Sequence, residues 1–301
     1  MIPDTESAFG HYRPNVFFRS IISFAQNTPH NWFGQQLAQL VRKLVLWRAE
    51  LPIDMAVGPI KMRCYLRDNN SEKKFVFMPW RFDKRERQLL VDSLPRNGVF
   101  VDIGANVGIY TLTAATHLGS RGRIVSLEPN PPAFGRLCFN LTATELGCSD
   151  WPTVDALQIG VGAATGEIEL HLDPRNLGGS SIAAHAATFA GGNSGGVVRI
   201  TCKPLLTILE EQVISRIDVL KIDIEGAEDI ALLPYLLEAP DAQLPKYMII
   251  ENSERLWKLD LVGALGRRGY TVKMRSRMNT VYRRAQPDDR MRVGLGGSRP
   301  C

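Results

Sequence analysis

The 301-residue sequence has no run approaching the roughly 18 consecutive apolar residues that would cross a bilayer. Its first ten residues, MIPDTESAFG, lack the basic-then-apolar order of a secretory signal, so a cytoplasmic location is expected. Cysteine is scarce. Cys64, Cys138, Cys148, Cys202 and Cys301 are odd in number and fall at no metal-ligand spacing, which excludes a disulfide framework and a zinc site as organising features. No His/Cys/Asp/Glu cluster has a recognised ligand spacing elsewhere, so no metal is expected. An even spread of positive charge is also missing. The formal charge is +5, yet from Arg267 onward ten basic residues face two acids, which leaves the preceding chain slightly acidic. Nucleic acid is therefore not an expected partner, and the basic end reads as a solvated face or as a rim guiding an anionic substrate.

What is present is enough apolar material, 45% of residues, for one large domain with a smaller appended region. Residues 1–75 differ from the rest. WFGQQLAQLVRKLVLW sets Phe33, Leu37, Leu40, Val41 and Leu44 at helical spacing, predicting an amphipathic helix that packs on its own domain, on a second copy or on a membrane surface. VGPIKMRCYL and KKFVFMPW read as short strands and RERQLLVDSLP as a helix.

Strands and helices then alternate. VFVDIG opens with Val99, Phe100, Val101 and Ile103, a strand apolar on both faces and hence part of a parallel sheet. IVSLEP, VDALQIGVG, IDVLKIDIEG and KYMIIENSE supply further strands, with GEIELHL as an extended piece beside the third. GYTVKM and NTVYRR flank SRMN as an edge hairpin, and residues 286–301 read as a disordered tail. LGGSSIAAHAATFAGGNSGG is long enough to be a lid or a disordered loop, and its His185 is a weak candidate base. The pattern for residues 76–285 is a doubly wound sheet with one reversed strand. Ligands of such sheets lie at the carboxyl ends of the strands, beside the first glycine turn.

Two adenosine-containing ligands compete for that turn. A nicotinamide dinucleotide carries a pyrophosphate, and its G-x-G-x-x-G fingerprint lets backbone approach it. Here Gly104-Ala105-Asn106-Val107-Gly108 lacks the middle glycine, and Asp102 would repel a phosphate. S-adenosylmethionine has no phosphate and bears an ammonium and a sulfonium, so Asp102 suits it, though an acid there also suits capping of the turn. Glu128, 24 residues after Gly104 and at a strand end, is placed to accept hydrogen bonds from ribose hydroxyls.

VFVDIGANVGIYTLTAA, IVSLEPNPPAFGRLCFNL, VLKIDIEGAEDIALL and YMIIENSE together resemble the FkbM family of class I S-adenosylmethionine-dependent methyltransferases, over roughly Arg85 to Arg284. The resemblance implies a Rossmann-like fold with Asp102, Gly104, Asn106, Gly108 and Glu128 around the methyl donor. Where the family often has an acid after the third strand, this chain has Ala163, which leaves adenine to backbone and apolar contacts near Val161 and Gly162. CKPLLTIL also departs from the family's T-L-D-like element.

Asp223 and Glu225 follow the fourth strand, the edge that faces the transferred methyl in this architecture. Asp223 is a candidate to orient donor or acceptor and Glu225 a candidate base if burial or Glu228 raises its pKa; an N-cap role for Asp223 competes. Glu251 and Asn252 are candidates for the acceptor side, while His117 and His171 read as structural. The resemblance to the family implies O-methylation of a sugar or other hydroxyl-bearing small molecule. A nicotinamide oxidoreductase and a non-catalytic adapter are the alternatives.

Overall fold

A computed structural model describes residues 3–173, 176–179, 181–182 and 196–285. The chain begins with helices α1 (Val16–Gln26) and α2 (Trp32–Arg48), a hairpin of β1 (Ile53–Val57) and β2 (Ile60–Cys64), then α3 (Asn70–Phe77) and α4 (Lys84–Ser93). The alternating part follows as β3 (Val99–Ile103), α5 (Ile109–Ala115), β4 (Arg123–Leu127), α6 (Pro131–Glu145), β5 (Thr153–Leu157) and β6 (Gly160–Val161). Next come β7 (Gly166–His171), β8 (Ser181–Ile182), β9 (Val197–Lys203), α7 (Leu205–Glu211), β10 (Val219–Ile222) and α8 (Glu228–Glu238). The last elements are β11 (Tyr247–Glu251), α9 (Leu261–Arg267), β12 (Tyr270–Arg275) and β13 (Asn279–Arg284).

Seven strands form the central sheet in the order β12-β13-β11-β10-β3-β4-β5. The five from β11 to β5 are parallel, and β13 is inserted antiparallel between β11 and β12. The expected doubly wound sheet with one reversed strand is present. Its inner strands β3, β4, β10 and β11 are buried on both faces because helices cover both. Val101, Ile103, Leu220 and Ile222 pack against α7, α8 and α9, whereas Phe100, Ile124 and Val219 pack against α4 and α5. The order reverses between β10 and β4, on either side of β3, and this is the switch point at which α/β sheets leave a crevice.

Three local expectations change. VDALQIGVG is not one strand: β5 joins the central sheet, while β6 pairs with β9 in a second sheet that also contains β7 and β8. KKFVFMPW is helical instead of extended. Asn69 caps α3 by accepting from the amides of Ser71 and Glu72, and Phe75, Val76 and Phe77 are all buried, a continuous apolar run that suits a helix enclosed on several sides as well as a strand. In α2 the inward face is Gly34, Ala38 and Val45, and Phe33 and Leu40 point to solvent. Small side chains win that face because the packing is close: a Cβ on Gly34 would stand 1.9 Å from the Pro29 carbonyl oxygen.

Residue 75 marks no gap in packing. Ile53, Met62, Phe75 and Phe77 share a hydrophobic cluster with Val107, Leu112 and Leu137. Hydrogen bonds run from the Lys61 amide to Thr144 Oγ1 at 3.0 Å and from the Arg63 amide to Asn140 Oδ1 at 2.9 Å, docking β2 on α6. The buried Arg63 guanidinium grips Asp54 at 2.8 and 3.0 Å between the rings of Tyr12 and Phe139. The loop histidine His185 and residues 286–301 lie outside the described residues.

Candidate functional site

A cavity of about 530 Å³ opens at the carboxyl ends of β3, β4 and β10, within the ~300–1,000 Å³ typical of small-molecule sites. Gly104, Asn106, Glu128, Val161, Asp223 and Glu225 all line it. The N-terminal region closes one wall through Asn70, Ser71 and Lys74 of α3.

The floor is the turn after β3. Gly104 has φ +72°, and a Cβ there would meet the Asp223 carbonyl oxygen at 1.9 Å, so only glycine lets the loop after β10 lie across the turn. Gly108, at φ +92°, would press a Cβ to 2.6 Å from Leu137 Cδ1, which fixes how closely α5 approaches α6. Four amides of this segment are engaged within the fold. Gly104 and Ala105 donate to the Leu127 carbonyl at 2.9 and 3.0 Å, Gly108 donates to Ala105, and Asn106 donates to Glu128 Oε2 at 2.7 Å.

Glu128 is buried at the cavity edge, with Oε1 accepting the Asn130 amide at 2.9 Å. Burial raises its pKa to about 7 against the pull of those two amides. A carboxylate offers about four acceptor positions, so each oxygen retains capacity for a ligand hydroxyl. Asn106, in left-handed backbone at φ +53°, links this edge to α3 by accepting from Asn69 Nδ2 at 2.9 Å.

Two expected donor-binding residues, Gly108 and Asp102, do not line the cavity: Gly108 packs against Leu137, and Asp102 is the more consequential. It is fully buried behind the turn, accepts from Thr111 Oγ1 at 2.7 Å and faces Lys221 Nζ at 3.8 Å. Thr111 and Lys221 cover its carboxylate, and Lys221, beside Asp102 in the β3–β10 register, reaches the cavity in its place, as does the next residue, Ile103. Asp102 ties β3 to α5.

Lys221 escaped the sequence reading. It lies buried in β10, donates to the Gly104 carbonyl at 3.2 Å and pairs with Asp223 at 3.3 Å. Burial alone would lower its pKa, but Asp223 and Asp102 outweigh that and raise it. A lysine flanked by Leu220 and Ile222 in a doubly buried strand was the available signal, because buried lysines are rare unless paired. Beside it Tyr110 donates to Asp83 Oδ2 at 3.2 Å, and both residues line the cavity.

The opposite wall is acidic. Asp223, Glu225 and Glu251 each place a carboxylate oxygen within 4.8 Å of the other two. Burial, then Asp223, raises the pKa of both Glu225 and Glu251. Glu225 is held in left-handed backbone at φ +56°. The competing cap role for Asp223 is not realised, since α8 starts at Glu228 with Ala227 as its N-cap. Glu228 is a bracket: it accepts from the amides of Ile224 and Gly226, from Ser253 Oγ at 2.6 Å and from Trp257 Nε1 at 2.8 Å. Asn252 does not line the cavity and instead holds the final hairpin, donating to Ser276 O and accepting from Thr280. Three carboxyl groups beside one lysine make this wall oxygen-rich, and the raised pKa values of Glu225 and Glu251 show burial and then the neighbouring acids disfavouring their charge. No metal was expected from the sequence; this cluster is a cation-compatible donor set, and its oxygens alone do not distinguish a metal ion from an organic cation.

Residues 102–276 match the Methyltransferase FkbM domain family. The chain is 29% identical over 163 residues to "Methyltransferase sdnD" of Sordaria araneosa, covering 46% of this chain and 60% of that protein's length. Among solved structures it is similar to methyltransferase FkbM from Methylobacillus flagellatus KT, at 16% identity over 84% of this chain and 60% of the other, TM-score 0.40. An O-methyltransferase from Bacillus cereus in complex with SAH aligns at 15% identity over 66% of this chain and 79% of the other, TM-score 0.37. With more than half of its length matched by the family pattern, the glycine turn and the acidic β10 loop included, the chain belongs to the FkbM methyltransferase domain family.

Proposed function

We propose that the chain is an S-adenosylmethionine-dependent methyltransferase that methylates an oxygen of a sugar or other small hydroxyl-bearing molecule. One observation carries this: a single cavity has Glu128 at one edge and the Asp223, Glu225 and Glu251 carboxylates at another. The first edge suits a pair of vicinal hydroxyls and the second a positive charge, and S-adenosylmethionine has both. When bound, it supplies a methyl carbon made electrophilic by an adjacent sulfonium.

The chain's own residues then have three tasks. Gly104 keeps the floor free of a side chain where the β10 loop crosses it, and Val161 offers an apolar wall. Lys221 fixes Asp223 and neutralises part of the wall, which eases the mutual repulsion of the three acids. The acceptor hydroxyl has to lose a proton as its oxygen bonds to carbon, and the Glu225 carboxylate is the group to take it. Its raised pKa lies closer to neutrality than that of a solvated acid, as a general base requires. Orientation does the remainder.

A nicotinamide oxidoreductase is disfavoured by the missing middle glycine of the turn, whose Gly104, Ala105, Asn106 and Gly108 amides are engaged within the fold. The described cysteines are free thiols, which suits a reducing compartment, and the reaction is assigned to the cytoplasm. Incubation of the full chain with methyl-labelled S-adenosylmethionine and a cell extract tests the function. Label is expected in a low-mass hydroxylated product that gains one methylene; absence of any transfer favours an adapter that retains the fold.

A further inference from the structure

Helices α1 and α2 pack on each other and both pack on α3, so their remaining faces look away from the body. Along α2 that outer side carries Trp32, Gln36, Leu40, Lys43 and Trp47, spaced to fall on one stripe, while Gly34, Ala38 and Val45 face inward. Trp32 and Trp47 are 72% and 70% exposed and Leu40 65%. On α1, Val16, Phe17 and Phe24 are also exposed. Scattered apolar residues on a surface need no explanation, but aromatic side chains repeated along one helix pair form a patch.

The charge of this segment is one-signed. From Ser7 to Ala49 there is no acidic residue, whereas Arg13, Arg19, Arg42, Lys43 and Arg48 are basic. The Arg48 guanidinium lies 3.9 Å over the Trp47 ring, so cation and aromatic are presented together at the end of the stripe.

We infer that α1 and α2 dock on an anionic lipid surface, lying in its plane with their aromatic side chains at headgroup depth. No helix among the described residues is long and apolar enough to cross a membrane, and docking in the plane requires none. Charge selects this occupant over a second copy of the chain. A two-fold interface presents the same patch on both sides, which would set the basic residues of one protomer against those of its partner. An anionic bilayer takes the apolar stripe and the basic residues at once.

The test is sedimentation of the full chain with phosphatidylcholine vesicles, with and without phosphatidylglycerol. Binding is expected only to the anionic vesicles, weakened by salt, with about a fivefold loss for Lys43→Gln and near-complete loss for Trp32→Ser combined with Trp47→Ser. Both tryptophans are exposed, so the double variant should keep the wild-type melting temperature; if it does not, Lys43→Gln and the salt dependence decide. Failure to bind anionic vesicles, equal binding to neutral ones, or a dimer in light scattering that the double variant dissolves would each overturn the inference.

Discussion

The Asn106 amide donates to Glu128 Oε2 at 2.7 Å, so the carboxylate proposed to receive a ribose also pins the glycine turn beneath it. The two tasks separate by substitution. Glu128→Ala should weaken binding of S-adenosylhomocysteine by about 1.5–3 kcal/mol, the range for a charge-assisted hydrogen bond. Glu128→Gln, which retains one carbonyl acceptor, should lose less. Titration calorimetry reads both, and unchanged affinity in the alanine variant contradicts a ribose-binding role.

Lys221 is expected to matter for stability as much as for the site. Lys221→Met removes the one cation that, among the described residues, faces buried Asp102, and leaves Asp223 to the other acids. Breaking one partner from a buried pair costs about 3–5 kcal/mol, and urea denaturation should show a loss of that order. Protonation of Asp102 at low pH should restore part of it. A loss below about 0.5 kcal/mol, the level of an ordinary surface change, would show that the pair is not holding β10 to β3.

Arg63 tests whether residues 1–75 are part of the same folding unit. Arg63→Ala leaves the buried Asp54 carboxylate, among the described residues, with only the amides of Gly10 and Tyr12 as donors and removes the guanidinium from between Tyr12 and Phe139. A loss of about 3–5 kcal/mol in a single cooperative transition is expected. A separate early transition, with the remainder melting as in the wild type, would mark an independent N-terminal domain.

Glu128 also sets a pH dependence. Its folded pKa is raised from 4.5 to about 7, so between these values the folded chain holds a proton that the unfolded chain has released. The unfolded state then binds fewer protons, and stability falls as pH rises from about 5 to 7. The buried Glu72, also raised to about 7, acts in the same direction. Donor affinity should run the other way, rising over that interval as Glu128 becomes a carboxylate able to accept from two hydroxyls. Melting curves and calorimetry at matched pH check both slopes, and Glu128→Gln should flatten the second.

The sheet and its ligand end were legible in the sequence because doubly buried strands and the glycine turn are local patterns. Gly104, Asn106, Glu128, Val161, Asp223 and Glu225 could be brought to one cavity on strand order alone. What was hidden depended on three-dimensional facing. Asp102 stands near the end of β3, where the pattern sets an acid beside a ligand, and only the packing of Thr111 and Lys221 over its carboxylate shows that it does not reach the cavity. Phe75, Val76 and Phe77 could not reveal a helix, since an unbroken apolar run has no period. The inward face of α2 was misread because a close contact at Gly34 and Ala38 favours small residues over the larger ones at Phe33 and Leu40.

A crystal of the chain grown with S-adenosylhomocysteine gives the decisive measurement. The predicted result is the nucleoside in the cavity with both ribose hydroxyls within hydrogen-bond distance of Glu128 and the sulfur on the side of Asp223 and Glu225. A cavity without the nucleoside, or a nucleoside held elsewhere with Glu128 bonded only to the amides of Asn106 and Asn130, would contradict it.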